Sequence, residues 1–256
     1  RMGSVAKYYK SSVRALILGL MVLFSALSGA ASAGSASDPA PAFHNAVSDA
    51  YGHYREAFFY LRRGNAMTAA FELEALVEKW HALTKVHGSN PPPPYATDAQ
   101  WGTVLKQVGS IAEKALEAAV SGESKAAYDE LQPVRGMLRD LRERNGVRLF
   151  RDDVEDANAT FRELFKFRRN PPDFDNPQSV ASLRKNLAAT ISAYQACLDQ
   201  APADVAKDEQ FQRLVTDSLE VLKRMNLAIE AKSELRVINI LRRVVSSNNI
   251  LWMRFG

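Results

Sequence analysis

Residues 43–83 read FHNAVSDAYGHYREAFFYLRRGNAMTAAFELEALVEKWHAL, and this stretch decides the fold. Apolar residues recur at every third or fourth position on both sides of Gly64-Asn65, which is the spacing of one face of an α-helix. Because Gly and Asn interrupt helices, the stretch predicts two helices joined by a tight turn. The apolar stripe consists of Phe43, Val47, Ala50, Tyr54, Ala57 and Leu61 before the turn and Ala69, Leu73, Leu76, Trp80 and Leu83 after it.

The same frame recurs along the chain. Turns that resemble Gly64-Asn65 occur at Gly122-Glu123 and Lys232-Ser233, which lie 58 and then a further 110 residues away, or about two units of 55. No convincing run of alternating β-branched and polar residues is present, so the sequence favours an all-α fold. We therefore expect about eight helices, paired as four antiparallel hairpins in a bundle. The predicted hairpins span residues 39–88, 97–146, 147–201 and 203–256.

The spacing within the first hairpin resembles the tetratricopeptide family. The residues that carry the resemblance are Tyr60, Gly64, Asn65, Ala69 and Leu73, at the family's Tyr, Gly, Asp/Asn, Ala and aromatic or Leu positions. The resemblance covers about 20 residues of each hairpin and implies helix pairs that meet closely. That family repeats every ~34 residues, whereas these units recur at about 55, so the spacing favours longer helices in a bundle over a tandem superhelix.

Residues 1–33 resemble a secretory signal peptide. A basic segment without acids is followed by an apolar run at residues 16–27, which is about a dozen residues long and therefore short for a membrane span. Ala31 and Ala33 then fit a signal-peptidase cleavage site. We expect a cleaved leader and a periplasmic helical domain at residues 34–256, with an uncleaved leader acting as a membrane anchor as the alternative.

The net charge of the predicted mature domain is near zero. The chain has 33 Lys and Arg against 29 Asp and Glu, and four of the basic residues lie in the leader, at Arg1, Lys7, Lys10 and Arg14. A near-neutral domain does not suggest the basic surface that binds nucleic acid, so we expect no nucleic-acid partner. The membrane is expected as a partner only through an uncleaved leader.

The chain contains a single cysteine, Cys197. One cysteine excludes an internal disulfide, a multi-cysteine zinc site and covalent attachment of haem. Cys197 lies among apolar residues at helical spacing, so we expect it to be a small buried residue in the core.

All four histidines fall in the first hairpin, at positions 44, 53, 81 and 87. Glu78 and His81 are three residues apart and therefore share one face of a helix, and a metal site would need His53 to face them across the hairpin. The candidate metal ligands are accordingly His53, Glu78 and His81. A divalent metal or a noncovalently bound haem here is the alternative function, whereas surface ion pairing explains the same residues without a ligand.

The run DDVED at residues 152–156 lies inside a predicted helix. Such a run usually forms a solvated face, and Arg148, Arg151 and Arg162 stand at helical spacing to balance it. We therefore expect the run to be exposed. It does not predict a calcium site, because loop ligands and a turn-forming glycine are absent.

Two further features of the helices require partners. Asn248 interrupts the apolar stripe of the last helix, and a buried amide needs a hydrogen-bond partner, which would fix the helix register.

The first helix also carries more aromatic residues than one face needs, so some of them pack on a second hairpin or form a ligand cleft. These aromatic residues are Tyr51, Tyr54, Phe58, Phe59 and Tyr60.

No familiar catalytic pattern occurs in the sequence. It contains no Gly-rich phosphate loop, no Gly-x-Ser-x-Gly motif and no His-Glu-x-x-His motif. The sequence therefore predicts an exported binding or scaffold protein without catalytic activity or cofactor, which holds an envelope protein or a small ligand between its hairpins. The alternative is the metal- or haem-binding bundle described above, in redox chemistry or metal handling.

Overall fold

The fold of residues 39–256, which are the residues that the computed structural model describes, is all-α, as the sequence predicts. No strand occurs in this range. None of its helices combines the length and the hydropathy needed to cross a bilayer. The predicted signal peptide at residues 1–33 lies outside the described residues.

Eight long helical rods form the described part of the chain. The helices are α1 (Pro39–Arg62), α2 (Ala66–His87), α3 (Trp101–Val120), α4 (Ser124–Arg144), α5 (Phe150–Phe165), α6 (Pro177–Gln200), α7 (Ala203–Ala206), α8 (Glu209–Lys223), α9 (Met225–Glu230) and α10 (Glu234–Phe255). The α7 segment is a single turn, and α8 and α9 make one rod that is interrupted at Arg224. The rods pair as four antiparallel hairpins, which confirms the predicted architecture.

Three of the hairpin turns share one backbone conformation. Gly64, Gly122 and Lys232 have φ angles of 77°, 80° and 47°, all in the left-handed region. At each turn this residue donates its N–H to the carbonyl three residues back, and the next residue donates to the carbonyl five residues back. These bonds close the preceding helix. Asn65 then caps α2, because its side chain accepts a hydrogen bond of 3.1 Å from the Thr68 N–H.

Each half of the described chain forms its own four-helix bundle. In the first bundle, α1 packs on α2, α2 on α3, α3 on α4, and α4 back on α1. The second bundle repeats this ring with α5, α6, α8 and α10. In chain order α1 therefore corresponds to α5, and α4 to α10. The 110-residue interval between the turns at Gly122 and Lys232 is the length of one bundle with its connection.

The two bundles have separate hydrophobic cores. Trp80 is 2% exposed in the first core, and its indole N–H donates to the Leu105 carbonyl at 2.8 Å. Phe161 and Phe211 are fully buried in the second core. Trp252 belongs to α10 of the second bundle but packs partly against the first core. The sequence left open whether the helices make one bundle or two, and the structure shows two.

Asn248 has the hydrogen-bond partner that the sequence predicts. It is 2% exposed, and the Tyr194 hydroxyl donates to its Oδ1 at 2.8 Å. Tyr194 lies on α6 and Asn248 on α10, so the bond joins two helices that stand diagonally opposite in the second bundle. Burial raises the pKa of the Tyr194 hydroxyl, which therefore remains protonated as a donor.

Removing the Tyr194 hydroxyl tests the contribution of this bond. We expect Tyr194→Phe to lower the free energy of unfolding by about 1–3 kcal/mol, because it leaves the buried Asn248 carbonyl without a partner. Urea denaturation measures the change. Tyr60→Phe is the matched control, since Tyr60 is only partly buried, and its effect should stay within about 0.5 kcal/mol. Equal losses in the two variants would show that the bond does not stabilise the second bundle.

Candidate functional site

The two bundles meet through ion pairs between α4 and α5. The most extensive helix packing in the described chain lies within each bundle, and long side chains reach from one bundle to the other. The pairs are Arg135–Glu155, Arg139–Asp156 and Arg142–Asp152, with nitrogen–oxygen distances of 3.1, 2.7 and 3.1 Å. Tyr51 of α1 joins this network, because its hydroxyl donates to Glu155 Oε1 at 3.1 Å. The junction therefore holds several charges out of water.

The prediction that residues 152–156 form a solvated face was wrong. Asp152, Asp153 and Glu155 are only 3, 5 and 1% exposed. Buried carboxylates need charged or hydrogen-bonding partners. Two of those partners, Arg135 and Arg142, stand on α4 in a different hairpin, where spacing within the acidic run does not reveal them.

One of the three arginines that the sequence matched to this run does pair with it. Arg148 Nη2 lies 2.5 Å from Asp153 Oδ1 and 2.9 Å from Asp156 Oδ2. Within residues 39–256, neither Arg151 nor Arg162 forms an ion pair with the run. Arg162 is exposed, and Arg151 points instead toward α1, as described below.

Asp152 accepts hydrogen bonds from both α4 and the start of α5. Burial by itself raises the pKa of its carboxyl, but hydrogen bonds from Arg142 and from the Leu149 N–H overcome that effect and hold the pKa below its usual value. The Leu149 bond, of 2.9 Å, also caps the start of α5. One carboxylate thus joins α4 to α5 and fixes the end of a helix.

An open cleft lies beside the junction, between α1 and α10. Phe58 and Phe59 line it from α1, and Ile250, Trp252 and Met253 line it from α10. Its volume is about 680 Å³. We call this site the aromatic cleft. The contact of Phe58 with Tyr128 of α4, at 4.3 Å between ring centres, confirms that part of the surplus aromatic residues packs on a second hairpin, whereas a ligand in the cleft stays a prediction.

Charged side chains stand at the rim of the aromatic cleft. Arg63 lies over the Phe59 ring at 3.4 Å from its centre, and Arg62 and Glu56 complete the α1 side. On the opposite side, the buried Trp252 indole N–H has no hydrogen-bond partner within the described residues. The cleft therefore combines an apolar floor with a rim that carries one more positive charge than negative.

The candidate metal ligands lie in the first bundle, away from this cleft. His53 Nδ1 pairs with Glu72 at 2.8 Å, across the first hairpin, and His81 Nε2 pairs with Glu113 of α3 at 2.7 Å. Glu78 is exposed. No group of three or more His, Cys, Asp or Glu residues among residues 39–256 is placed to hold a metal ion. The metal or haem site at His53, Glu78 and His81 therefore stays a prediction.

Known proteins give no further assignment. No family model, curated protein or solved structure matches this chain. The function must therefore be inferred from the site itself.

Cys197 is fully buried, as expected, and belongs to the second core. Its thiol donates to the Asp153 carbonyl at 3.3 Å, which ties α6 to the acidic start of α5. Burial, reinforced by the nearby carboxylates, raises the pKa of the thiol to about 12. A thiol that stays protonated and buried is a packing residue and a poor nucleophile.

A change at Asp152 tests the junction through the pH dependence of stability. Because the carboxyl has a lower pKa in the folded state than its unfolded value of about 3.9, its stabilising contribution is complete above that value and is lost as the pH falls through the folded pKa. We expect Asp152→Asn to lower the free energy of unfolding by about 3–5 kcal/mol at pH 7. The difference from the unmodified chain should shrink as the pH falls below 4.

Urea denaturation at pH 7, 5 and 3 measures this difference. Asp129→Asn is the control, because the Lys125–Asp129 pair is exposed and should contribute less than about 1 kcal/mol. A difference between Asp152→Asn and the unmodified chain that is the same at all three pH values would contradict the assigned role.

Proposed function

We propose that this protein is a non-enzymatic binding protein that holds an amphipathic small molecule in the aromatic cleft. The observation that carries the proposal is an open cavity of about 680 Å³ with an apolar floor and a charged rim. Sites of this size and composition are typical of small-molecule binding. The proposal keeps the sequence-based expectation that the protein is exported and acts in the periplasm.

The floor of the cleft is supported by both bundles. Phe58 contacts Trp252 with ring centres 6.0 Å apart, and Arg135 of α4 lies 5.4 Å from the centre of the Trp252 ring. Side chains from α1, α4 and α10 thus fix the indole between them. A rigid aromatic surface binds an apolar group without a large loss of side-chain entropy.

The rim favours a ligand with a negatively charged head. Arg62 and Arg63 stand at the α1 side of the opening, where one carboxylate, Glu56, opposes them. An apolar chain or ring would occupy the floor, and a carboxylate or sulfonate would reach the two arginines. The ligand class proposed is therefore an anionic amphiphile.

The side chains of the cleft also favour binding over catalysis. Its described lining contains no histidine and no cysteine, and Glu56 is its one carboxylate. General acid–base catalysis usually needs a positioned pair of titratable groups. The supported role is to carry or sense a ligand.

Titration of the purified protein with sodium dodecanoate tests the proposal. We expect one dodecanoate to bind per chain by isothermal titration calorimetry, and dodecyltrimethylammonium to bind more weakly because of the arginines. Ile250→Glu should weaken dodecanoate binding by about tenfold or more, because it places a carboxylate in the apolar floor. Ile250 is 38% exposed, so the change does not disturb either core.

Phe71→Glu is the matched control for this substitution. Phe71 is 67% exposed on α2 and does not line the cleft, so dodecanoate binding should be unchanged. The proposal fails if the unmodified protein binds neither amphiphile, or if Ile250→Glu and Phe71→Glu bind dodecanoate equally well.

A further inference from the structure

A second, smaller cavity lies further along the seam between α1 and α10. Its volume is about 310 Å³, and it shares no lining residue with the aromatic cleft. Ser48, Tyr51 and Arg55 contribute to it from α1, Arg151 from the start of α5, and Arg254 and Gly256 from the end of the chain described here. We call it the arginine pocket.

Two arginines flank one aromatic ring in this pocket. The guanidinium carbons of Arg55 and Arg151 lie 5.8 and 5.5 Å from the centre of the Tyr51 ring. Arg151 donates a hydrogen bond to Ser48 Oγ, and Arg55 Nη1 donates to the Gly256 carbonyl. The Ser48 hydroxyl that accepts the Arg151 bond is neutral, and the Nε of Arg55 is buried without a partner in residues 39–256.

These two arginines differ from those at the α4–α5 junction. Arg135, Arg139 and Arg142 each have a carboxylate within about 3 Å. Across residues 39–256, no Asp or Glu side chain forms an ion pair with Arg55 or Arg151.

The carboxylates around the pocket are distant or already engaged. The acid closest to Arg254 is Asp208, at 3.9 Å. Glu155, the carboxylate behind Tyr51, accepts from Arg135 and from the Tyr51 hydroxyl through Oε1, and its charge partly offsets the effect of burial on the pKa of Arg55. The lining described for the pocket contains no Asp or Glu.

Burial disfavours the charged form of both arginines. Burial, together with the positive charge of Arg142, lowers the pKa of the Arg151 guanidinium to about 10, and Arg55 adds to the repulsion. Burial likewise lowers the pKa of Arg55. The helix α5 begins at Phe150 in the same pocket, and the positive end of its dipole adds to the potential there.

We propose that the arginine pocket binds a small oxyanion, with a phosphate group as the ligand. Arg55 and Arg151 approach from two helices and supply charge-assisted donors, and a phosphate group offers more acceptor oxygens to two guanidinium groups than a carboxylate does. Arg254 closes the pocket from α10. The volume accommodates inorganic phosphate or the phosphate of a small monoester.

Phosphate binding by the purified protein tests this assignment. Inorganic phosphate and glycerol 3-phosphate are titrated into the protein by calorimetry in chloride buffer at constant ionic strength, and sodium acetate is titrated as the planar anion. We expect inorganic phosphate to bind one per chain and acetate to bind more weakly. Glycerol 3-phosphate binding more tightly than phosphate would assign the pocket to a phosphate monoester, and the reverse order to free phosphate.

Arg151→Gln and Arg55→Gln should each weaken phosphate binding by about tenfold or more, since each removes charged hydrogen bonds to the anion. Arg213→Gln is the matched control, because Arg213 is exposed on α8 outside the pocket, and it should bind phosphate normally. Circular dichroism establishes that each variant is folded, and Arg151→Lys replaces Arg151→Gln if the latter does not fold.

Three results would overturn the proposal. The first is no phosphate binding by the unmodified protein. The second is equal phosphate affinity in Arg151→Gln, Arg55→Gln and Arg213→Gln, which would show general charge screening. The third is acetate binding as tight as phosphate binding.

Discussion

The ion pairs between α4 and α5 are the constraint on which the rest of the structure depends. Each bundle closes on its own ring of four helices, and between the bundles these ion pairs act together with the packing of Trp252 on the first core. Arg142 and Asp152 are among the buried groups of this junction, and a buried ion pair is stable only in a narrow range of geometries. These pairs therefore set the orientation of the two bundles, and with it the spacing between α1 and α10.

The correspondence of the two bundles explains why clefts form where they do. The last helix of the first bundle, α4, corresponds to the last helix of the second, α10, and the first helix of the second bundle, α5, corresponds to the first helix of the first, α1. The α4–α5 junction and the α10–α1 seam are therefore equivalent helix pairs. The first of these helix pairs is filled by arginine–carboxylate pairs, whereas the second has no ion pair between its described residues. Trp252 and Phe58 bridge the seam at one level, and space remains on both sides of the Arg55–Gly256 bond. One junction is thus filled by ion pairs, and its counterpart contains two open cavities.

Periodicity was enough to predict the helices but not the contacts between bundles. The stripe from Phe43 to Leu83, the turn residue Gly64 and the need of Asn248 for a partner are local signals, and the structure confirms them. Whether Glu155 is buried depends on Arg135, which is distant in sequence and belongs to another hairpin. The surplus of aromatic residues in the first helix did signal a cleft, but nothing in the sequence showed that α10 would form its opposite wall.

The distribution of charge along the seam favours a ligand-binding role for Arg55 and Arg151 over a purely structural one. Replacing buried ion pairs with apolar residues often stabilises a protein, so packing alone does not require arginine at position 55 or 151. A half-buried arginine without an Asp or Glu partner also costs free energy, because no side-chain carboxylate offsets its desolvation. Tyr51 between them separates their charges only partly, and Arg151 keeps a lowered pKa. The two arginines also supply hydrogen-bond donors from two helices, so an anion bound between them would offset the cost of their desolvation.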